Sequence, residues 1–113
     1  MREITISKKW LFVLRRIKRF QNTTTELREV VKNVFKFYNF KNRVKFVRIF
    51  RSLRKKGILN GKIVYLEKYG KKRPYLYLKS VPKIEVIHKK DDKVKVRIIK
   101  EKDLGSFFSP LEK

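Results

Sequence analysis

Few side chains in this 113-residue sequence could catalyse a reaction. His88 is the single histidine and there is no cysteine, which excludes most pairs of a nucleophile and a general base, disulfides and cysteine-based metal sites. Asp91, Asp92 and Asp103 could bind a metal, but adjacent aspartates among lysines are more simply turn formers. No glycine-rich phosphate loop is present. We therefore expect a protein that is not an enzyme and uses no metal or cofactor.

Lysine and arginine supply most of the remaining polar chemistry. There are 33 of them against 10 Asp and Glu, giving a formal net charge of +23. Such a chain repels itself unless a polyanion neutralises it, and nucleic acid is the obvious partner. The basic residues run through every segment and are not gathered on one amphipathic helix, as a membrane-surface protein would require. The apolar run WLFVL is too short for a membrane span or a signal sequence, so we expect neither.

Basic side chains are therefore the candidate contacts with phosphate. Lys71, Lys72 and Arg73 crowd the expected turn of a hairpin, a position that can bridge two backbones. The other candidates lie in or beside predicted helices and strands: Lys8, Lys9, Arg15, Arg16, Lys18, Arg19, Arg51, Lys55, Lys56, Lys79, Lys83, Lys100 and Lys102.

Four tyrosines near the same hairpin allow two interpretations. They are Tyr65, Tyr69, Tyr75 and Tyr77. Tyrosines can stack on unpaired bases. More often they cover a sheet face, and we expect core or cross-strand packing here.

Two helices must position most of these residues. Ser7 has the side chain of an N-cap, and the helix after it carries one apolar side: Trp10, Leu11, Leu14 and Ile17. Over 42–56 apolar residues recur at spacings of three and four: Phe46, Ile49, Phe50 and Leu53. Gly57 then stands where a left-handed helix end belongs. The other face of this second helix is almost entirely Lys and Arg.

The rest of the chain predicts strands. Residues 26–35 have near-helical spacing, but the aromatic residues that follow favour a strand near 34–39. KIVYLEKY and PYLYLKSV are two runs of alternating β-branched and aromatic residues joined by the turn GKKR, which predicts a hairpin, and Pro82 ends it. KIEVIHK and KVKVRII predict a second hairpin around Asp91 and Asp92. The expected class is α+β: an N-terminal lobe of two helices and a hairpin over 1–81, then a small antiparallel β lobe over 82–113.

One interpretation of this order is a winged-helix DNA-binding protein. Helices over 7–20, 26–35 and 43–56 would precede a hairpin over 62–78 that forms the wing, with helix 43–56 in the major groove. The order of elements fits. The face of helix 43–56 fits less well, because Lys and Arg hold phosphate but few of its side chains could read base edges.

The other interpretation rests on four stretches taken in order. They are WLFVLRRIKRF, FVRIFRSLRKKGIL, VYLEKYGKKRPYLYLKSV and KIEVIHKKDDKVKVRII. The first resembles, through Arg16, Ile17 and Lys18, the first helix of the small-subunit ribosomal protein eight family, in its bacterial and organellar form. The second is similar to that family's second helix, with Lys56, Gly57 and Ile58 at its end. The third looks like the family's hairpin and the fourth like the start of its C-terminal sheet.

The resemblance implies a structural constituent of the small ribosomal subunit that binds rRNA, in its central domain, beside neighbouring ribosomal proteins and not as a homo-oligomer. The family's RNA-binding Ser-Thr-Ser-x-Gly turn falls near 99–105, where this chain has IKEKDLG and keeps only Gly105. A remade contact there would use Lys100 and Lys102. The absence of alanine and the abundance of Lys, Phe, Ile, Asn and Tyr indicate an AT-rich gene, as in many organelle genomes. We therefore expect a mitochondrial, organelle-encoded ribosomal protein, or a ribosomal protein of another AT-rich genome. We adopt this second interpretation.

Overall fold

The structure, a computed structural model, describes residues 2–99. In that range the strands are β1 (Arg2–Ser7), β2 (Thr23–Glu26), β3 (Asn60–Lys68), β4 (Lys71–Ser80), β5 (Lys83–Lys90) and β6 (Lys93–Ile99). The helices are α1 (Lys8–Ile17), α2 (Leu27–Phe35) and α3 (Phe40–Lys55), and a 3-10 turn covers Lys18–Phe20. Helices together with antiparallel sheets confirm the predicted α+β class.

The chain divides into two compact units. The terminal unit combines Met1–Leu11 with Pro82–Lys113, and the central unit is Phe12–Val81. The sequence predicts one lobe over 1–81 and another over 82–113. In the structure β1 belongs with the segment that begins at Pro82, because its six residues pair with residues 93–98 of β6.

The described part of the terminal unit is built on an antiparallel sheet with strand order β1-β6-β5. Ile4 pairs with Val96 and Ile6 with Val94, so one face of these strands is apolar. The predicted second hairpin is confirmed: β5 and β6 are joined at Asp91, which has a φ of 54°, and Asp92. The Asp92 carbonyl accepts from the backbone N–H of Lys8 at 2.9 Å, where α1 begins.

The central unit packs helices against a second antiparallel sheet of order β2-β4-β3. Helix α2 contacts β4, β2 and α3. The buried apolar side chains of the central unit are Val13, Leu14, Ile17, Leu27, Val30, Val31, Val34, Phe46, Ile49, Phe50, Leu53, Ile58, Leu59, Leu76, Leu78 and Val81. Among the described residues no buried side-chain polar atom lacks a hydrogen-bond partner. The unit therefore has an apolar core and leaves its charges on the surface.

The ends of the helices follow from single side chains. The backbone N–H of Trp10 donates to Ser7 Oγ at 3.2 Å, which confirms Ser7 as the cap of α1. Asn39 Oδ1 accepts from the backbone N–H of Asn42 at 2.7 Å, so α3 begins at Phe40, two residues before the predicted start. Gly57 has a φ of 76° just after α3, as predicted.

Three local predictions need correction. The strand expected near 34–39 is absent, because Leu27, Val30 and Val34 form one buried face of α2, which ends before Lys36 at a φ of 75°. A short strand that was not predicted, β2, precedes α2 and pairs with β4. The first hairpin turns at Tyr69 and Gly70, not over GKKR, so Lys71, Lys72 and Arg73 lie in β4.

Candidate nucleic-acid interface

Helix α3 presents the most basic surface of the central unit. Phe46, Ile49, Phe50 and Leu53 point into the core. Its exposed charged residues are Lys41, Lys45, Arg48, Arg51, Arg54 and Lys55, with Arg43 half-buried, and the helix contains no carboxylate. Its one amide side chain, Asn42, donates to the carbonyl of Phe37 at 3.1 Å. The exposed face therefore offers positive charge for phosphate or guanine and no free amide that could read adenine.

A groove lies between α3 and β3, the edge strand of the central sheet. We call it the α3–β3 groove; its volume is about 450 Å³. It is lined by Leu27, Phe40, Arg43, Val44, Val47, Arg48, Arg51, Ile63 and Tyr65. Apolar side chains and three arginines share the lining, and no carboxylate is among them. An anionic ligand with a flat apolar part matches this chemistry.

Of the predicted contacts, Arg51 is the one that lines this groove. Arg43, Arg48 and Phe40 were not selected from the sequence. The signal was present in the spacing of Val44, Val47, Arg48 and Arg51, which repeats at three and four and so marks one side of a helix. The sequence predicts the strand β3 but not that it lies beside α3 as the other wall of the groove.

The turn of the first hairpin carries a smaller basic cluster. Lys68 and Lys71 are paired on either side of Tyr69 and Gly70, and Lys68 Nζ lies 5.7 Å from the centre of the Tyr69 ring. Lys71 and Lys72 are exposed. Arg73 differs, because its guanidinium is 3.3 Å from a carboxylate oxygen of Glu26. Lys71 and Lys72 are thus better placed than Arg73 to meet phosphate.

The predicted contacts around α1 are all exposed: Lys8, Lys9, Arg15, Arg16, Lys18 and Arg19. Two of them also have partners within the protein. The guanidinium of Arg16 lies 4.6 Å from the centre of the Phe12 ring, and Arg19 donates to Asn33 Oδ1 at 3.2 Å. These contacts fix the direction of each side chain and leave its charge unneutralised.

The remaining predicted contacts are dispersed. Lys55 and Lys56 lie at the end of α3, Lys79 in β4 and Lys83 in β5, and all four are exposed. Lys100 and Lys102 lie outside the described residues, as does Gly105.

The four tyrosines of the first hairpin differ in how far they pack against the sheet. Tyr75 is half-buried opposite Val64 and Glu26, which is cross-strand packing. Tyr65 and Tyr69 are 63% and 93% exposed, and Tyr77 is 42% exposed. Packing therefore does not account for Tyr65 or Tyr69.

In the terminal unit several charges are neutralised by one another. Arg97 is 3.2 Å from a carboxylate oxygen of Glu3 and 3.5 Å from one of Glu85, while Lys95 Nζ is 3.5 Å from Glu3. The hydrogen bond from Arg97 lowers the pKa of Glu3 below its ordinary value; desolvation opposes this, and the charge of Lys95 adds to the lowering. These side chains tie β1 and β5 to β6.

Within residues 2–99, His, Cys, Asp and Glu side chains form no group of three or more that could hold a metal ion. His88 is exposed on β5, and Asp91 and Asp92 form a turn. Nor does any helix in that range have the length and apolar character needed to cross a bilayer.

Comparisons with known proteins found no relative: no family model, no curated protein and no solved structure matches the chain. The resemblance to the ribosomal protein eight family therefore stays a prediction from short motifs.

Proposed function

We propose that the protein is a structural RNA-binding protein of the small ribosomal subunit, holding folded rRNA through phosphate contacts. The observation that carries this proposal is the exposed face of α3, which consists almost wholly of Lys and Arg and has no free amide. Such a face binds the backbone and responds to its shape. The major groove of A-form RNA is too narrow to admit a helix, so α3 would lie across phosphates at the surface of the RNA.

The distribution of charge supports the same proposal. Exposed lysines and arginines occur on α1, α3, β4, β5 and both hairpins, in both compact units. A protein that lies on one face of a nucleic acid needs basic residues on one surface only. A protein surrounded by folded RNA needs them on several, because helices of RNA converge on it and repel one another. Neighbouring ribosomal proteins belong to this proposal through the family resemblance, and the mitochondrial location belongs to it through the composition typical of an AT-rich gene.

A winged-helix DNA-binding protein is the second candidate, and the topology of the central unit favours it. Helix α1, strand β2, helices α2 and α3 and the hairpin β3-β4 follow one another in that order, with β2 paired to β4. Helix α2 and strand β2 are additional to the two helices and the hairpin that the ribosomal resemblance led us to expect. A fold does not determine its ligand, however, and α3 has no free Asn or Gln to read adenine, so its exposed groups suit phosphate and, among the bases, guanine.

Equilibrium binding of the full chain to RNA and DNA separates the two candidates. The ligands are a folded RNA with helices, a junction and unpaired nucleotides, and a DNA duplex of equal length, each at low and at physiological salt. We expect tighter binding to the folded RNA, retained at the higher salt. Tighter binding to the DNA duplex at both salt concentrations would contradict the proposal and support the winged helix.

A further inference from the structure

We propose that the α3–β3 groove binds an unpaired nucleotide of the RNA, with its base against Tyr65 and Phe40 and its phosphates on the arginines. This inference rests on the proposed function and deepens it, because it assigns one place on the surface to one kind of RNA feature.

Two large aromatic side chains at the groove are exposed. Phe40 is 78% exposed and Tyr65 is 63% exposed. Other aromatic residues of the unit, such as Phe46 and Phe50, are fully buried and stack on each other with ring centres 6.0 Å apart. Exposed aromatic surface beside a groove marks an interaction site, and every nucleobase has a flat face that can stack on it.

The charges at the groove are not neutralised within the protein. Among the described residues, the guanidinium groups of Arg43, Arg48 and Arg51 have no ion pair and no hydrogen bond to a side chain. A second groove of the same unit shows the contrast, because Glu26 and Glu29 line it and Glu26 pairs with Arg73. The α3–β3 groove is therefore the one of these two whose charge suits an anion.

The combination of shape and charge selects a nucleotide. The volume of about 450 Å³ lies within the usual size of small-ligand sites. A base in a duplex is stacked on both sides and cannot enter such a groove, whereas an unpaired base can turn outward. Val44, Val47 and Ile63 give its ring an apolar surface, and the arginines meet the phosphates on either side.

The test uses two RNA hairpins that differ by one unpaired 2-aminopurine nucleotide, which is inserted into an otherwise identical paired stem. We expect the full chain to bind the bulged hairpin more tightly and to change the fluorescence of the 2-aminopurine. Tyr65→Ala and Phe40→Ala should each weaken binding to the bulged hairpin by about 5- to 150-fold, the range of losses seen when stacking residues are truncated. Binding to the paired hairpin should stay the same.

Three further variants show whether the groove itself is responsible. Tyr65→Phe keeps the ring and should keep the preference. Phe37→Ala removes an aromatic side chain that is 60% exposed but outside the groove lining, and it should leave both affinities unchanged. Arg51→Gln should weaken binding to both hairpins, because it removes a phosphate contact.

The outcomes distinguish this inference from the proposed function. Equal affinity for the two hairpins, or a preference that persists in both Tyr65→Ala and Phe40→Ala, would overturn the inference while RNA binding stands. Failure to bind either hairpin, with tight binding to duplex DNA, would overturn both.

Discussion

At the scale of single residues, the backbone of the first hairpin leaves little space for a side chain at one glycine. Gly61 lies where β3 and β4 shift register, close to the neighbouring strand. A Cβ added there would meet the carbonyl oxygen of Tyr77 at 2.6 Å and atoms of Leu78 at 3.2 Å. The obstacle is backbone, so it cannot swing aside as a flexible side chain would.

Gly61→Ala should therefore destabilise the central unit by about 1–3 kcal/mol, the usual cost of forcing an atom into a packed site. Urea unfolding followed by circular dichroism measures the loss. Gly70→Asn is the matched control, because a Cβ at Gly70 meets no atom within 4 Å and Asn tolerates the φ of 76° there. An equal or larger loss in the Gly70 variant would contradict the close approach at Gly61.

Glu3 should make the terminal unit sensitive to acid. Its pKa is lowered in the folded chain by Arg97 and Lys95, so the unfolded chain binds the proton more tightly. The contribution of Glu3 to stability is then fully present above the ordinary glutamate pKa. It is lost as the pH falls through the lower folded value.

Glu3→Gln should remove the part of the pH dependence of stability that Glu3 contributes and leave the contributions of other groups unchanged. Thermal unfolding at several pH values measures this. Glu67→Gln, which neutralises an exposed carboxylate on β3, is the control. A variant at Glu3 with the same acid dependence as the unaltered chain would show that the ion pairs with Arg97 and Lys95 do not form in solution.

At the scale of elements, strand pairing in the first hairpin gives three adjacent basic residues different surroundings. Lys71 and Lys72 are exposed beside the turn, while Arg73 is paired with Glu26 of β2. All three were expected to contact phosphate, and the sequence could not separate them, since the partner of Arg73 lies on a strand that the sequence did not predict.

The double variant Lys71→Gln/Lys72→Gln should weaken binding to all RNA sequences alike. It should also reduce the slope of log K against log salt by roughly 0.7 to 0.9 for each lost contact. Arg73→Gln should change the slope less. Loss of binding to one RNA sequence alone would mean that the hairpin reads bases.

The elements also differ in how well local sequence patterns predict them. Helix α3 and both hairpins were predictable because their signals are local: Phe46, Ile49 and Leu53 repeat along one helix, and each hairpin surrounds its own turn. Strands β1 and β2 carry only brief local signals, the alternation of Ile4 and Ile6 and a run of three threonines, and they pair with strands distant in sequence. The aromatic residues after Val34 suggested a strand, but burial of the α2 face outweighed that local preference.

The candidate site was predictable from the sequence only in part. The basic face of α3 could be recognised from the helical spacing alone. The groove could not, because Phe40 joins it through the cap at Asn39 and Tyr65 joins it through the packing of β3. Sequence patterns indicate which side of a helix is exposed but not which strand lies beside it.

At the scale of the whole molecule, a net charge of +23 is spread over two compact units whose described residues contain a well-formed apolar core. Burial accounts for the fold, whereas the charge opposes it until a polyanion is bound. Folded RNA of the small ribosomal subunit, the partner that we propose, would neutralise this excess of Lys and Arg.

Sedimentation of the native protein from a gently prepared lysate, at physiological and at raised salt, tests that claim most directly. We expect the protein to migrate with the small ribosomal subunit and to remain there after a salt wash, because it is held on several sides by RNA. Migration as a free small species, or with DNA and lost when the DNA is digested, would contradict the account and make the winged-helix function the better one.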